Sequence, residues 1–357
     1  MQHLFFSYFL GIGPMTFDKL IRHFGSLDVL YHAKEKDLRG VLRDSLIEGL
    51  MQFRKEFDPE KEYIRLQKLH VSVITREHKQ FPPQFKNLTD GPICLYVKGD
   101  ISAYDYKNDK YFAIVGTRTP TDYGKQVTTK FAAELAQAGF VIVSGMARGV
   151  DALAHRGALA AGGRTIAFLG CGVNIAYPPS NTQLYNDILS HNGLIISESP
   201  PDMLVMRGLF VTRNRLISGL SQGVLVAEGL KDSGSLITAR CALEQGKEVF
   251  APPAPITSEQ SAAPNLLLKE GAKMVISIAD ILEEFKMQYA PITTEQIMAS
   301  LSPEEKTIYS LLLQQPQSSD ELSRMLQKPI HLILMSISSM ELKGVIAKGS
   351  AGKYLIL

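Results

Sequence analysis

The chain has 357 residues, of which 45% are hydrophobic and 21% charged, as expected for a globular protein of two or three domains. Its net charge of +2 excludes a globally basic nucleic-acid binder but not a local basic patch. Cys94, Cys171 and Cys241 are far apart and predict neither a disulfide framework nor a metal site, so we expect reduced thiols in a cytoplasmic protein.

Residues 1–70 are predicted to form a helical domain. The apolar run 4–10 is short and lacks a basic start, so it predicts a core helix rather than a signal peptide, and no membrane partner is expected. The sequence Gly11-Ile-Gly-Pro resembles the turn of a helix-hairpin-helix element, whose free N–H groups bind a DNA phosphate. A small helical packing domain with a glycine turn is the simpler interpretation.

Residues 71–286 alternate between apolar strands and helices, which predicts an α/β core. The expected architecture is an extended Rossmann-like, mostly parallel sheet with helices on both faces. The strands are predicted at 71–75, 94–97, 111–115, 140–143, 165–169, 194–197, 223–227 and 248–251, and the helices at 122–138, 150–161, 214–220 and 236–245. Small-residue turns follow most of the strands, and ligands of such sheets bind beyond the carboxyl ends of the strands.

Residues 287–300 are predicted to be a linker, and residues 301–357 a small separate domain. Three helical patterns, at 303–313, 319–326 and 330–342, precede a hairpin formed by 344–349 and 353–357, as in a winged helix. The expected recognition helix, 331–340, contains no arginine or lysine. A major-groove reader normally presents such residues, so the pattern favours a protein-contact or regulatory role.

The turns and one basic run contain the candidate ligand-binding residues. The basic run has an interleaved aromatic and no acidic residue between Asp202 and Glu228. Arginine pairs with phosphate and an aromatic ring stacks on any base, so single-stranded nucleic acid is favoured over a solvated loop. We expect Asn214 and Arg215 also to fix the loop and begin a helix. The run contributes Arg207, Phe210, Arg213, Asn214 and Arg215, and the turns contribute Gly116, Arg118, Ser144, Gly145, Arg148, Gly170, Gly172, Ser233, Gly234 and Ser235.

No cofactor or catalytic group is predicted. After Gly170-x-Gly172, the prolines at 178 and 179 prevent the helix that would hold a dinucleotide pyrophosphate, and the sequence has no P-loop. Asp151 and His155 are expected to act as a helix cap and a packing residue, because no nucleophile accompanies them. The alternative function is a nucleotide N-glycosidase that uses Glu228 and the turn at Gly234.

Several long motifs occur in one order along the chain. They are Ile114-Val-Gly-Thr-Arg-Thr-Pro, Val143-Ser-Gly-Met-Ala-Arg-Gly-Val-Asp-Ala-Leu-Ala-His, Gly170-Cys-Gly-Val-Asn-x-x-Tyr-Pro, Ser197-Glu-Ser-Pro, Phe210-x-x-Arg-Asn-Arg-Leu-Ile-Ser-Gly-Leu-Ser and Ser233-Gly-Ser-Leu-Ile-Thr-Ala. Together they resemble the bacterial DNA-processing proteins of the DprA/Smf family, over essentially the whole chain.

The resemblance implies a Rossmann-like core between an N-terminal SAM-like domain and a C-terminal winged helix. It also implies a homodimer that binds single-stranded DNA and loads the RecA recombinase during natural transformation, in competent cells. The strand-binding positions implied by the family are Arg118, Gly170, Arg207 and Phe210. Pro179 stands where some relatives have a lysine. No chemical step is expected.

Overall fold

The computed structural model describes residues 1–287, 294–349 and 352–356. Within these ranges, the side chains of Arg207, Gln296 and Leu342 lie outside the description. Among the described helices, none combines the length and the apolar character needed to cross a membrane.

The N-terminal segment is helical, as its sequence predicts. Aromatic and leucine side chains such as Phe5, Phe6, Phe17 and Leu20 fill its own buried core. Pro14 begins the second helix directly after the glycine turn, where its missing N–H removes no hydrogen bond. The helices are α1 (Gln2–Tyr8), α2 (Pro14–Phe24), α3 (Leu27–His32), α4 (Glu35–Leu38), α5 (Asp44–Glu56) and α6 (Pro59–Lys68).

The core contains a nine-stranded sheet. Its strands are β1 (Ser72–Thr75), β2 (Cys94–Lys98), β3 (Lys110–Val115), β4 (Phe140–Ser144), β5 (Thr165–Phe168), β6 (Leu194–Ser197), β7 (Gly223–Val226), β8 (Glu248–Ala251) and β9 (Lys273–Met274). They lie in the order β1-β2-β6-β5-β4-β3-β7-β8-β9. The last seven strands in this order, beginning with β6, pair in parallel. At the other edge, β2 pairs antiparallel with β6 and β1 pairs antiparallel with β2. The predicted mostly parallel sheet is confirmed.

Helices cover both faces of the sheet because its central strands are apolar on both sides. They are α7 (Asp122–Gln137), α8 (Val150–Ala160), α9 (Thr182–Ser190), α10 (Arg207–Leu220), α11 (Gly234–Glu244), α12 (Ala262–Lys269) and α13 (Ile278–Glu284). The chain leaves β3 toward β4 on one side and returns to β7 on the other. This reversal makes the carboxyl end of β3 the topological switch point, where ligands of such sheets bind.

The C-terminal residues form α14 (Thr294–Ser300), α15 (Pro303–Gln314), β10 (Gln317–Ser318), α16 (Ser319–Leu326), α17 (Ile330–Leu342), β11 (Ile346–Lys348) and β12 (Lys353–Ile356). The predicted helices and the β11–β12 hairpin are present, and β10 adds a third strand on the other side of β12. Residues 294–300 of the predicted linker are helical, and residues 288–293 lie outside the described residues.

One predicted boundary in the core is wrong. The sequence predicts a loop up to Arg213 and a helix from Asn214, but α10 already begins at Arg207. Its N-cap, Met206, makes no side-chain capping bond, so the usual start signal is missing. The basic run is therefore the first half of a helix, which fixes the spacing and direction of its side chains.

Candidate nucleic-acid interface

Turns from three neighbouring strands meet at the carboxyl edge of the sheet. The turn after β3 and the turn after β4 are joined by the Val150 N–H, which donates to the Thr117 carbonyl at 3.1 Å. The first turns of α10 lie over the same edge, since Arg213 donates to carbonyls in the turn after β4 and at the end of β5. The predicted convergence of Gly116, Gly145 and Gly170 is thus observed.

An aromatic and cationic cluster covers this edge. The ring of Phe210 lies 5.7 Å from the ring of Tyr177, tilted by 35°, and the guanidinium carbon of Arg118 lies 5.9 Å from the centre of the Phe210 ring. Arg118 is exposed, Tyr177 is 37% exposed and Phe210 is half-buried. A ring and a guanidinium at these distances form the kind of face on which a base stacks. We call Arg118, Tyr177 and Phe210 the stacking cluster.

Gly170 holds Phe210 in place by leaving room for it. A Cβ at Gly170 would lie 2.9 Å from a ring carbon of Phe210 and 3.2 Å from the backbone of Leu209. Any larger residue would push the start of α10 away from the sheet. Gly170 is therefore required for close approach. Tyr177 was not predicted as a site residue, although the Tyr-Pro pair after Gly172 was the available signal.

Arg213 does not face solvent, which corrects its prediction as a strand contact. It is 5% exposed, and its Nη1 donates to the Gly145 carbonyl at 2.7 Å and also to the Phe168 carbonyl. Burial lowers the pKa of Arg213 to about 10, while nearby Asp151 opposes this effect. A Cβ at Gly145 would lie 2.5 Å from this guanidinium. Arg213 therefore ties α10 to the sheet edge.

Arg215 is likewise an internal residue rather than a strand contact. Its Nε donates to Asp90 Oδ2 at 2.6 Å and its Nη2 to Glu198 Oε2 at 2.8 Å, with its side chain 9% exposed. Burial raises the pKa of Glu198, an effect that Arg215 opposes. The expectation that Arg215 fixes the local structure is met, but its partners are distant in sequence.

The turn after β4 is also largely internal. Ser144 is fully buried and its Oγ donates to the Ile114 carbonyl at 2.7 Å. Asp151 accepts from the N–H groups of Gly145 and Ala147 at 3.2 and 3.3 Å, so it stabilises the turn instead of capping its own helix. Arg148, by contrast, is exposed. It is the residue of this turn that presents charge to solvent.

His155 is a packing residue, as the sequence predicts. It is fully buried, and its Nδ1 lies 2.7 Å from the hydroxyl of Thr165. Burial lowers the pKa of His155 to about 3, with the positive charge of Arg213 adding to the effect. The imidazole is therefore neutral at physiological pH and is not paired with Asp151 for acid–base chemistry.

The glycine pair after β5 is only partly available to a ligand. The N–H of Gly172 donates to the Met203 carbonyl at 2.9 Å, so it is already used inside the protein. In the turn after β3, Gly116 is half-buried, and the next N–H, that of Thr117, donates to the Glu228 carbonyl at 2.8 Å. These backbone groups shape the edge rather than offer donors. Gly172, predicted as a ligand-binding residue, therefore has no backbone N–H to offer a ligand.

The turn at Gly234 begins α11, as predicted. Ser233 caps this helix by accepting from the Ser235 N–H at 3.3 Å, and the two hydroxyls lie 2.8 Å apart. The Asn214 amide lies 3.4 Å from the Gly234 carbonyl, which brings this turn beside α10. Gly234 is exposed, whereas Ser235 is buried. The N-terminus of an eleven-residue helix thus lies next to the basic helix.

Glu228, the residue proposed for the alternative enzyme, is held internally. It is 1% exposed. Its Oε2 accepts from the Thr121 N–H at 2.8 Å, and its Oε1 accepts from the Thr121 hydroxyl at 2.6 Å. Gly124 permits this arrangement because a Cβ there would lie 2.0 Å from the carboxylate. Glu228 therefore anchors the start of α7.

These features define a Rossmann-like protein with an arginine–aromatic surface at the carboxyl edge of its sheet. A family model described as DNA recombination-mediator protein A matches residues 72–286. The chain belongs to this family, that of the DprA/Smf proteins. The resemblance identified from its motifs is confirmed.

Individual relatives agree with this assignment. The chain is 42% identical over 214 residues to DNA processing protein DprA of Bacillus subtilis, a match covering 60% of this chain and 71% of the relative. It is 40% identical over 238 residues to Protein Smf of Escherichia coli, covering 66% of this chain and 62% of that protein.

Among the solved structures that are similar to the chain are two DNA processing proteins. DNA processing protein A of Streptococcus pneumoniae superposes with a TM-score of 0.70 and 29% identity, covering 81% of this chain and 99% of that one. DNA processing protein A of Helicobacter pylori, described for its single-stranded DNA binding mode, gives a TM-score of 0.54 and 35% identity, covering 60% and 95%.

Proposed function

We propose that the chain is a DNA-processing protein that binds single-stranded DNA across the stacking cluster. The observation that carries this proposal is the contact of Phe210 with both Tyr177 and Arg118 at the sheet edge. The ring faces stack on bases of any sequence, while exposed Arg118 and Arg148 pair with phosphates. The sequence adds Arg207 at the first residue of α10. The binding mode described for the Helicobacter pylori relative supports the same ligand.

Fluorescence anisotropy with a labelled single-stranded oligonucleotide tests the proposal. Phe210→Ala is expected to weaken binding by roughly 1–3 kcal/mol, because stacking on one base is lost. Phe210→Tyr retains the ring and should bind nearly as the wild type does. Arg118→Glu should weaken binding and reduce its salt dependence by about 0.7 per lost phosphate contact.

The matched control for charge reversal is Lys130→Glu. Lys130 is exposed on α7, about 12 Å along the helix from its start at the sheet edge. Reversing its charge changes the net charge as Arg118→Glu does, without altering the stacking cluster. Equal losses in the two variants would show that only the overall charge matters and would contradict the assigned surface.

The function proposed here needs no chemical step. An N-glycosidase requires a carboxylate free to act at the sugar, and both carboxylate oxygens of Glu228 are engaged by Thr121. Incubation of the protein with nucleoside monophosphates is expected to release no free base. Release of base that is abolished by Glu228→Gln would instead favour the enzyme.

The family resemblance extends the proposal to recombination. We infer that a homodimer holds the strand and loads RecA during natural transformation. Assembly of RecA on a strand coated with single-strand-binding protein should accelerate when the chain is added, and Phe210→Ala should remove most of the acceleration. Sedimentation of the free protein measures the dimer. A monomer with full loading activity would contradict this part.

We propose that the C-terminal unit is a winged helix that contacts protein rather than DNA. Helices α15–α17 and the sheet β10-β12-β11 support the fold. On α17, Leu334 and Met335 are 42% and 68% exposed, and no cation accompanies them on that helix. Removal of residues 294–357 should therefore leave strand affinity unchanged.

A further inference from the structure

A cavity of about 360 Å³ lies between the N-terminal helices and the sheet, behind α10. Its walls are mainly apolar and include Phe9, Ile12, Met203 and Leu209. It reaches the surface beside Leu10 and Met15, which are 67% and 66% exposed. A cavity of this size and lining accommodates a planar heterocycle between apolar side chains.

The polar groups of the cavity are concentrated around Arg215. Its side chain is 91% buried, and Nη1 has no hydrogen-bond partner among the described residues, although Nε and Nη2 are both engaged. A buried guanidinium N–H without an acceptor costs free energy, so Arg215 keeps hydrogen-bonding capacity that its present partners do not use. Glu198 accepts from Arg215 through Oε2 and is itself one of the residues that line the cavity.

The charged side chains around the cavity favour a neutral polar ligand over an anion. Asp90 and Glu198 carry two negative charges against the single positive charge of Arg215, so an anion deep in the cavity is disfavoured. A ligand with adjacent donors and acceptors suits this set better. The polar edge of a nucleobase offers N–H donors to a carboxylate and a carbonyl or ring nitrogen to a guanidinium. Apolar walls then cover the faces of the base.

We propose that this cavity binds a nucleobase, with its polar edge toward Arg215 and Glu198 and its ring between Phe9 and Met203. The base comes from a strand on the stacking cluster or from a free nucleotide. The first source rests on the proposed function, because Leu209 and Thr212 of α10 line the cavity while Phe210, on the same helix, belongs to the stacking cluster.

The mouth of the cavity suits the phosphate of the same nucleotide. Gly13, Pro14 and Thr16, at the N-terminus of the eleven-residue helix α2, line it, and no side chain caps that helix. Its free N–H groups and its dipole favour a phosphate. The charge arrangement therefore separates the two parts of a nucleotide, with the phosphate at the rim and the base inside.

Photo-crosslinking and abasic substitution with the full chain test the proposal. A strand carrying a single 4-thiothymidine should crosslink to peptides containing Phe9 or Met203. Replacing one base of a bound oligonucleotide by an abasic site should cost roughly tenfold in affinity at one position more than at the others. Crosslinks confined to Tyr177 and Phe210, together with an equal affinity cost of abasic substitution at all positions, would show that no base of the strand enters the cavity.

Two variants with one matched control test whether the cavity binds the base. Thr16→Trp fills it from the half-buried surface of α2, and Lys19→Trp, at an exposed position of the same helix, is the matched control. Thr16→Trp should remove the Phe9 or Met203 crosslink and the position-dependent abasic effect, whereas Lys19→Trp should retain both. Glu198→Gln preserves the volume and should weaken base binding, with circular dichroism confirming that the variant folds.

Free deoxynucleosides provide the second arm, read by saturation-transfer NMR. Binding of a nucleoside that is lost in Thr16→Trp supports the site even when no strand base enters it, and identifies free nucleotides as the source. If the wild-type chain binds no strand at all, the proposed function fails. Nucleoside binding alone then decides whether the cavity is a nucleobase site. Absence of nucleoside binding together with the absence of the strand effects overturns the inference.

Discussion

At the scale of single residues, burial divides the arginines near α10 into two groups. Arg118 and Arg148 are exposed and available to phosphates. Arg213 and Arg215 are buried, and each binds acceptors that belong to distant parts of the chain. A guanidinium leaves water only where carbonyls or carboxylates replace its hydration. The same residue type thus faces solvent at the proposed ligand surface in one group and stabilises the architecture in the other.

Replacing Arg213 by methionine should destabilise the protein strongly. The change keeps much of the volume but leaves the buried Asp151 and the carbonyls of Gly145 and Phe168 without their cation. We expect the free energy of unfolding to fall by roughly 3–5 kcal/mol, measured by urea denaturation. Arg148→Met, at an exposed position, should change it by at most about 0.5 kcal/mol. Similar small effects in both variants would contradict the internal role of Arg213.

Tyr177 should contribute to strand binding through its ring rather than its hydroxyl. Its ring faces Phe210 and is partly exposed. Tyr177→Phe should therefore retain strand affinity, while Tyr177→Ala should lose roughly 1–3 kcal/mol in an anisotropy titration. A loss in Tyr177→Phe equal to that in Tyr177→Ala would show that the hydroxyl makes the contact.

At the scale of elements, eight of the nine strands of the sheet were predictable because each is a short apolar run, and most of them end in a small-residue turn. The two-residue edge strand β9 was not predicted, because it is too short to show a periodic pattern. The turns at Gly116, Gly145 and Gly170 therefore converge as expected. The start of α10 was not predictable, since it has no capping side chain and Gly208 weakens its first turn. Nor does the sequence show that Asp90 and Glu198 lie beside Arg215, because that pairing depends on tertiary packing.

Adding a methyl group within the first turn of α10, at Gly208, and in the turn that packs against this helix, at Gly170, should have opposite effects. At Gly208 a Cβ meets nothing within 4 Å, so Gly208→Ala should stabilise the helix by roughly 0.5–1 kcal/mol. At Gly170 it meets Phe210 and Leu209, so Gly170→Ala should displace α10 and weaken strand binding. Hydrogen exchange of α10 and strand titrations measure the two effects. Equal protection of α10 in both variants would argue against the close packing at Gly170.

At the scale of the whole molecule, polar contacts hold the N-terminal helices against the sheet region. Arg65 donates to Asp202 at 2.7 Å, Arg76 pairs with Asp18, and the hydroxyls of Ser7 and Tyr96 are hydrogen-bonded. Leu4 adds an apolar contact, since it lies in the same buried cluster as Tyr96. The N-terminal helices thereby complete the wall of the cavity behind α10. The N-terminal helices and α10 line the same cavity, so a shift of either changes its shape.

The C-terminal unit should respond to acid separately, because its stability depends on a buried carboxylate. Glu305 accepts from Lys343 Nζ at 2.6 Å, from the Ser302 N–H at 2.7 Å and from the Ser339 hydroxyl at 2.7 Å. Burial alone would raise the pKa of Glu305, but these donors outweigh it and lower the pKa to about 2. The ionised form is therefore the one that the folded unit prefers.

Because this folded-state pKa lies below the ordinary value of 4.5, the stabilisation is complete above that value and is lost as the pH falls toward about 2. Hydrogen exchange should show α15 and α17 opening more often across this window. Glu305→Gln should make the unit less stable at neutral pH and remove most of this acid dependence. Glu304→Gln, which changes a more exposed carboxylate paired with Lys328, should retain it. An unchanged acid dependence in Glu305→Gln would assign the loss of stability to other groups.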